Sequence, residues 1–135
     1  MNDLAIKNQI KDLFNGFPEE ADVRLDVDFN EKRLSPYIIS ILEKEKQNMN
    51  AGLPDFRIKY AIILDCFIED DKDGKMFEDY KNRIDGILSE VTDRFNDIRS
   101  YFDYPVVAAF YNGGKQGLTQ TSNQFVFDLD LIISE

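Results

Sequence analysis

One acidic run, Glu69-Asp70-Asp71-Lys72-Asp73-Gly74, has residue types and spacing that could bind a cation. It matches the start of a calcium-binding loop when Gly74 is aligned with the invariant glycine of such loops. That alignment places Tyr80 at the last ligand position, where calcium loops require a bidentate carboxylate. The motif is therefore incomplete. We predict instead an acidic strand-to-helix turn, whose carboxylates favour the positive end of the following helix.

A glycine-rich stretch at residues 113–117 invites comparison with a phosphate-binding loop. That motif requires Ser or Thr after its Gly-Lys pair, and it lies between a strand and a helix. Here Gln116 follows Lys115, and the next predicted element is a strand. We therefore predict a flexible hairpin loop over residues 112–117, which could still make binding contacts because loops often do.

Few residues in the sequence could act as a nucleophile or as a general acid or base. The sequence contains no histidine, so its one cysteine, Cys66, cannot form the usual Cys–His pair and is predicted to pack in the core. A carboxylate pair would need a deep cleft, for which a small domain with one thin core has little room. Asp128 and Asp130 share one face of a predicted strand, which indicates a solvated face or an interface. We expect no enzymatic activity, no cofactor and no bound metal.

The composition indicates an acidic, soluble, single domain spanning residues 1–135. Sixteen basic and twenty-six acidic residues give a net charge of −10, which disfavours nucleic acid and anionic membranes as partners. Hydrophobic residues make up 43% of the chain, enough for a full core. With one cysteine no intrachain disulfide can form. The first residues lack the long apolar run of a signal peptide or membrane span.

Helical periodicity predicts two helices, over residues 3–15 and 74–99, with Asp73 as the N-cap of the second. The longer helix must lie across a sheet, because its apolar stripe needs an apolar partner. We expect Ile62, Leu64, Phe127 and Leu129 to supply that partner. The stripe consists of Phe77, Tyr80, Ile84, Ile87, Leu88, Val91, Phe95 and Ile98.

Alternating apolar residues predict strands over residues 23–29, 56–68 and 125–133, and a short apolar run predicts another strand over residues 106–111. Residues 35–47 allow two interpretations: Ser35-Pro36 could open a helix, whereas the β-branched Ile38, Ile39 and Ile41 favour a strand, which we prefer. Paired with residues 56–68, this strand would form a long projecting β-hairpin. The predicted fold is α+β, with a mixed, mostly antiparallel sheet of about four or five strands and two helices packed on one face.

The order of elements, together with three segments, resembles the tail terminator proteins of long-tailed phages and prophages, and related tail-completion and neck proteins. The segments are Ser35-Pro36-Tyr37-Ile38-Ile39, the run from residue 57 to 71 that leads into the helix, and Asn123-Gln124-Phe125-Val126-Phe127. The resemblance covers nearly the whole chain. It implies a homo-oligomeric ring, usually hexameric, that caps the tail tube and joins it to the head connector. Such a protein is cytoplasmic during assembly and then part of the virion tail.

Under this resemblance the predicted hairpin would contact neighbouring subunits. Its exposed backbone edge invites strand pairing, and its lysines and arginines would give a basic tip on an acidic body. Reversing the charge of Arg57 and Lys59 is then expected to abolish capping without unfolding the domain. The candidate protein-interface residues are Lys44, Lys46, Met49, Arg57, Lys59, Gly113, Gly114 and Lys115.

A secretion chaperone of the type III kind, or another protein-binding module, is the alternative. Such chaperones are also small and acidic, and they act as dimers. They usually end in a helix, whereas this chain ends in a predicted strand. Neighbouring genes would separate the two hypotheses: tail-tube and tape-measure genes favour the terminator, and a gene for a secreted effector favours the chaperone.

Overall fold

The computed structural model describes residues 3–15, 22–25, 36–49, 55–98, 106–119 and 121–134. These residues form an α+β fold with two α-helices and one five-stranded open sheet, as predicted. A short 3-10 turn lies at Ile68–Asp70. The elements are α1 (Asp3–Asp12), β1 (Asp22–Arg24), β2 (Tyr37–Asn48), β3 (Asp55–Phe67), α2 (Lys75–Ile98), β4 (Val106–Leu118) and β5 (Ser122–Ser134).

The sheet is mixed and mostly antiparallel, with strand order β1-β2-β3-β5-β4. β1 runs parallel to β2, and the other neighbours are antiparallel. β3 is central and pairs with β5 along its whole length, from Asp55 opposite Ser134 to Phe67 opposite Ser122. Because both edges of β3 are paired, the backbone groups exposed by the β2–β3 hairpin belong to β2.

Residues 37–48, in the segment for which the sequence allowed either a helix or a strand, form strand β2. Ile39 lies opposite Leu64 and Ile41 lies opposite Ile62, and all four side chains are fully buried. Alternate β-branched residues therefore meet an apolar partner strand, and this long-range packing outweighs the helix-starting signal of Pro36. The β2–β3 hairpin extends well beyond β1, which pairs only with residues 38–40.

Both helices pack on one face of the sheet. The α2 stripe is buried against this core face, which includes the predicted partners Ile62, Leu64, Phe127 and Leu129. From α1, Ile6, Ile10 and Phe14 join the same cluster. The fully or nearly fully buried residues of the α2 stripe are Phe77, Ile84, Leu88, Val91 and Phe95, and Tyr80 and Ile87 are partly buried.

The predicted loop at residues 112–117 is wrong, since β4 continues through it to Leu118 and reverses into β5 just before Ser122. The register shifts between Tyr111 and Gly114, which makes a bulge inside the strand. Gly113 has φ +81°, and a Cβ on Gly114 would lie 2.1 Å from Phe125 Cε1. The glycines therefore permit a close approach of β4 to β5 and do not mark a turn.

Some predicted boundaries fall outside the described residues. The strand predicted over residues 23–29 is described only as far as Leu25, and Ser35 is not described. The same holds for the side chain of Ile98 at the end of α2. Neither described helix has the length and apolar character needed to cross a membrane.

Candidate functional site

The outer end of the β2–β3 hairpin extends beyond β1, while its β3 strand stays paired with β5. We define the hairpin end as residues 43–48 of β2, the following Met49, and residues 55–60 of β3. From Lys44 onward the β2 side chains are exposed, and β1 pairs with only the first part of this strand. Met49 is 51% exposed, and its backbone N–H donates to the Asp55 carbonyl oxygen at 2.9 Å. The hairpin end therefore offers both backbone edge groups and an apolar side chain to a partner.

The predicted basic residues do meet at the hairpin end, but acidic groups balance three of them. The Lys59 Nζ lies 3.6 Å from a Glu45 carboxylate oxygen. The Lys44 Nζ lies 3.3 Å from an Asp128 carboxylate oxygen of β5. Arg57 donates from two guanidinium nitrogens to Asp130. The expected basic tip is thus largely neutralised within the chain.

Lys46 differs from the other three cations. Its Nζ lies 4.5 Å from the centroid of the Phe56 ring, and its side chain is exposed. A cation over an aromatic face keeps its charge available to solvent and to partners. Together with Met49, Lys46 is the part of the predicted interface set best placed to contact another protein.

Asp130 does not lie on a solvated face, which was one of the two alternatives that its strand position indicated. Its neighbours Leu129 and Leu131 are buried on the core face, so Asp130 lies on the sheet face opposite the helices, the second face. It is nevertheless only 2% exposed, and its cross-strand neighbours are Lys59 and Phe110. Arg57, with a side chain 40% exposed, forms an ion pair with it.

The Arg57–Asp130 pair changes what a charge reversal at Arg57 would do. An acidic residue at position 57 would leave the buried Asp130 carboxylate beside a like charge. Contrary to the expectation from the sequence, we therefore expect that variant to be destabilised. Lys46 and Met49 are the better probes of binding at the hairpin end.

The other three candidates, Gly113, Gly114 and Lys115, lie in edge strand β4. Lys115 lies opposite Val126, which lies opposite Ile63 near the middle of β3. The sequence-predicted interface is therefore divided between two separate surfaces, the hairpin end and β4.

The acidic run at residues 69–74 forms a helix start. The two Asp71 carboxylate oxygens accept the Met76 and Phe77 backbone N–H groups, each at 3.0 Å. Asp73, the predicted cap, accepts the Lys75 N–H at 3.1 Å. Asp71 is 5% exposed, so its oxygens are occupied by the helix and turned away from solvent. Among the described residues, no cluster of His, Cys, Asp or Glu is arranged to hold a metal ion.

Calorimetric titration with calcium should show no binding tighter than about 10⁻⁴ M, the range of weak calcium modules. The reason is that the Asp71 carboxylate already accepts two helix N–H groups, and Tyr80 cannot act as a bidentate ligand. A zinc titration of the same protein should also be flat. Micromolar calcium binding that Asp71→Asn abolishes would contradict this account of the turn.

Cys66 is unsuited to nucleophilic chemistry. It is fully buried on the core face. Burial and, to a smaller extent, the nearby Asp71 and Asp65 carboxylates raise the pKa of the thiol to about 12. Because the thiolate is the reactive form, Cys66 acts as a packing residue at neutral pH, as the sequence indicated.

A groove between α2 and β4 was not predicted from the sequence. It has a volume of about 340 Å³ and is lined by Thr92, Asp93, Ala109, Phe110, Tyr111 and Asn112. The Tyr111 hydroxyl donates to Asp85 at 2.6 Å and so ties β4 to α2, while burial and this bond raise the pKa of Tyr111. The apolar run at residues 106–111 indicated only a short strand. Because all six residues of this run are apolar or aromatic, the sequence carries no inside–outside alternation that could have revealed an edge.

Comparison with known proteins adds no family assignment: no protein-family model matches the chain, and no curated protein matches it significantly. The resemblance to tail terminators therefore stays a prediction from the sequence. What bears on function is the geometry of the hairpin end and of the β4 groove.

Proposed function

We propose that this protein is a structural assembly subunit of the tail-terminator kind. It would form a homo-oligomeric ring that caps a phage or prophage tail tube and joins it to the head connector. The observation that carries the proposal is the exposed hairpin end, which extends past β1 and presents Lys46 and Met49.

The edge of β2 beyond Ser40 supports contact with another subunit. Among the described residues no strand pairs with this edge, because β1 ends opposite Ser40. The alternating Glu and Lys residues of this edge and its bulge between Glu43 and Glu45 disfavour addition of a continuous strand, so the contact would be made mainly by side chains such as Lys46 and Met49. On a body with net charge −10, the exposed ammonium of Lys46 would be attracted to the acidic surface of a neighbouring subunit or of the tube end.

A double charge change at the hairpin end tests the proposal. Lys46→Glu with Met49→Asp should reduce ring formation by about ten-fold or more, because it replaces a cation and an apolar contact with acids. Leu4→Asp with Lys11→Glu is a matched control on α1, where both side chains are also exposed. Rings would be counted by native mass spectrometry and negative-stain electron microscopy, at low salt and with tail-tube protein present.

The proposal requires that the control retains rings and the hairpin variant loses them while keeping its thermal unfolding transition. Equal loss of rings in both variants would mean that general acidity, and not the hairpin end, controls assembly. A stable dimer that holds an unfolded effector segment, with no ring under any condition, would support the chaperone alternative.

A further inference from the structure

β4 is one of the two edge strands of the sheet, and no described residue pairs with its outer edge. Natural edge strands are usually protected by charges, proline, bulges or short length. β2 shows such protection beyond β1, with alternating Glu and Lys and a bulge between Glu43 and Glu45. β4 has thirteen residues, one charge at Lys115 and no proline.

The part of β4 that contains neither a charge nor a bulge is short and well defined. Two bulges, between Val106 and Ala108 and between Tyr111 and Gly114, leave residues 108–111 between them. This stretch is the uncharged run Ala-Ala-Phe-Tyr, and Phe110 in it is 47% exposed. An uncharged run between two bulges is a short, regular template for one more strand.

The groove beside this edge favours positive charge on the side chains of an added strand. Asp93 is exposed, and it is the one charged residue among the described side chains that line the groove. Asp85, about two turns earlier on α2, accepts the Tyr111 hydroxyl and so also faces β4. An added strand would therefore place alternate side chains against an acidic wall of α2, which favours lysine or arginine at those positions.

We propose that the edge of β4 at residues 108–111 accepts an extended segment of a partner protein. The segment adds a strand to the sheet and carries basic side chains on the side that faces Asp93. Two copies of β4 are less suitable for each other, because antiparallel pairing would bring two α2 helices with Asp85 and Asp93, on chains of net charge −10, side by side. This surface lies apart from the hairpin end and does not depend on ring formation.

Titration of the full-length, isotopically labelled protein with short peptides tests this inference. The probe is a peptide that alternates lysine and valine. Its two controls are the same peptide with glutamate in place of lysine, and the lysine peptide with alternate backbone amides N-methylated. We expect the lysine peptide to bind at least about ten-fold more tightly than the glutamate peptide. N-methylation should abolish binding, because it removes the backbone donors.

Protein variants and amide chemical shifts locate the binding. Asp93→Asn should reduce the preference for lysine over glutamate. Asp79→Asn, which removes an exposed acid on the same helix outside the groove, should leave it unchanged. The largest shifts should fall on residues 108–111.

Three outcomes would overturn the inference. Shifts centred on the acidic turn at residues 69–73 would indicate general attraction of cations. Binding that survives N-methylation would exclude strand addition. Concentration-dependent self-association with shifts at residues 108–111 would assign the edge to a second copy of the chain.

Discussion

Replacing Phe95 with alanine should lower the free energy of unfolding by about 3–5 kcal/mol, the usual cost of removing a large buried aromatic side chain. Phe95 is fully buried within the cluster that joins α2 to the core face of the sheet. Two strands of this face, β3 and β5, are paired on both sides, so the cavity could collapse only partly. Urea unfolding followed by circular dichroism measures the change, and an unaltered m-value would show that the unfolded state is the same.

Phe110→Ala is the matched control for Phe95→Ala. The Phe110 side chain is 47% exposed on the second face, so its truncation should cost less than about 1 kcal/mol. If both substitutions had similar small effects, α2 would not be held against the sheet as described. The assignment of the core would then be wrong.

Removing the charge of Arg57 while keeping Asp130 should also lower the free energy of unfolding. We expect Arg57→Met to lower the free energy of unfolding by about 2–4 kcal/mol, since it leaves a buried carboxylate without its cation. The lower part of the range for broken buried pairs applies because the Arg57 side chain is 40% exposed, whereas Asp130 is 2% exposed. Chemical denaturation at pH 7 would measure the change.

Two further variants isolate the ion pair from the packing of Arg57. The double variant Arg57→Met with Asp130→Leu should recover most of the lost stability, because no buried charge remains. Lys59→Met is the control, since Lys59 and Glu45 are both about half exposed and such pairs contribute below about 1 kcal/mol. A double variant that is less stable than Arg57→Met would contradict this assignment of the pair.

The regular elements could be predicted because their signals are local. Helical spacing of apolar residues identified α2, and strict alternation identified β3 and β5. The glycine-rich stretch failed because Gly113 and Gly114 fit either a loop or a bulge. The deciding fact is the close approach of β5, where Phe125 lies against Gly114. That approach depends on strand pairing, which no local pattern contains.

The candidate site was predicted only in part, for a similar reason. Lys44, Arg57 and Lys59 do lie near one another, as the hairpin required. Their acidic partners could not be identified from the sequence, since Asp128 and Asp130 come from a strand far along the chain. The sequence pattern therefore indicated a basic tip, where pairing between distant strands produces a balanced surface.

The most direct test of the proposed function is the length of tail tubes assembled in the presence of this protein. Tail-tube subunits from the same genome would be polymerised with and without the full-length chain, and tube lengths measured by electron microscopy. A terminator stops elongation, so tubes should become shorter as the chain is added, with a ring of density at one end. Tubes that grow to the same length and carry no end density, with wild-type protein folded and in excess, would contradict the proposal.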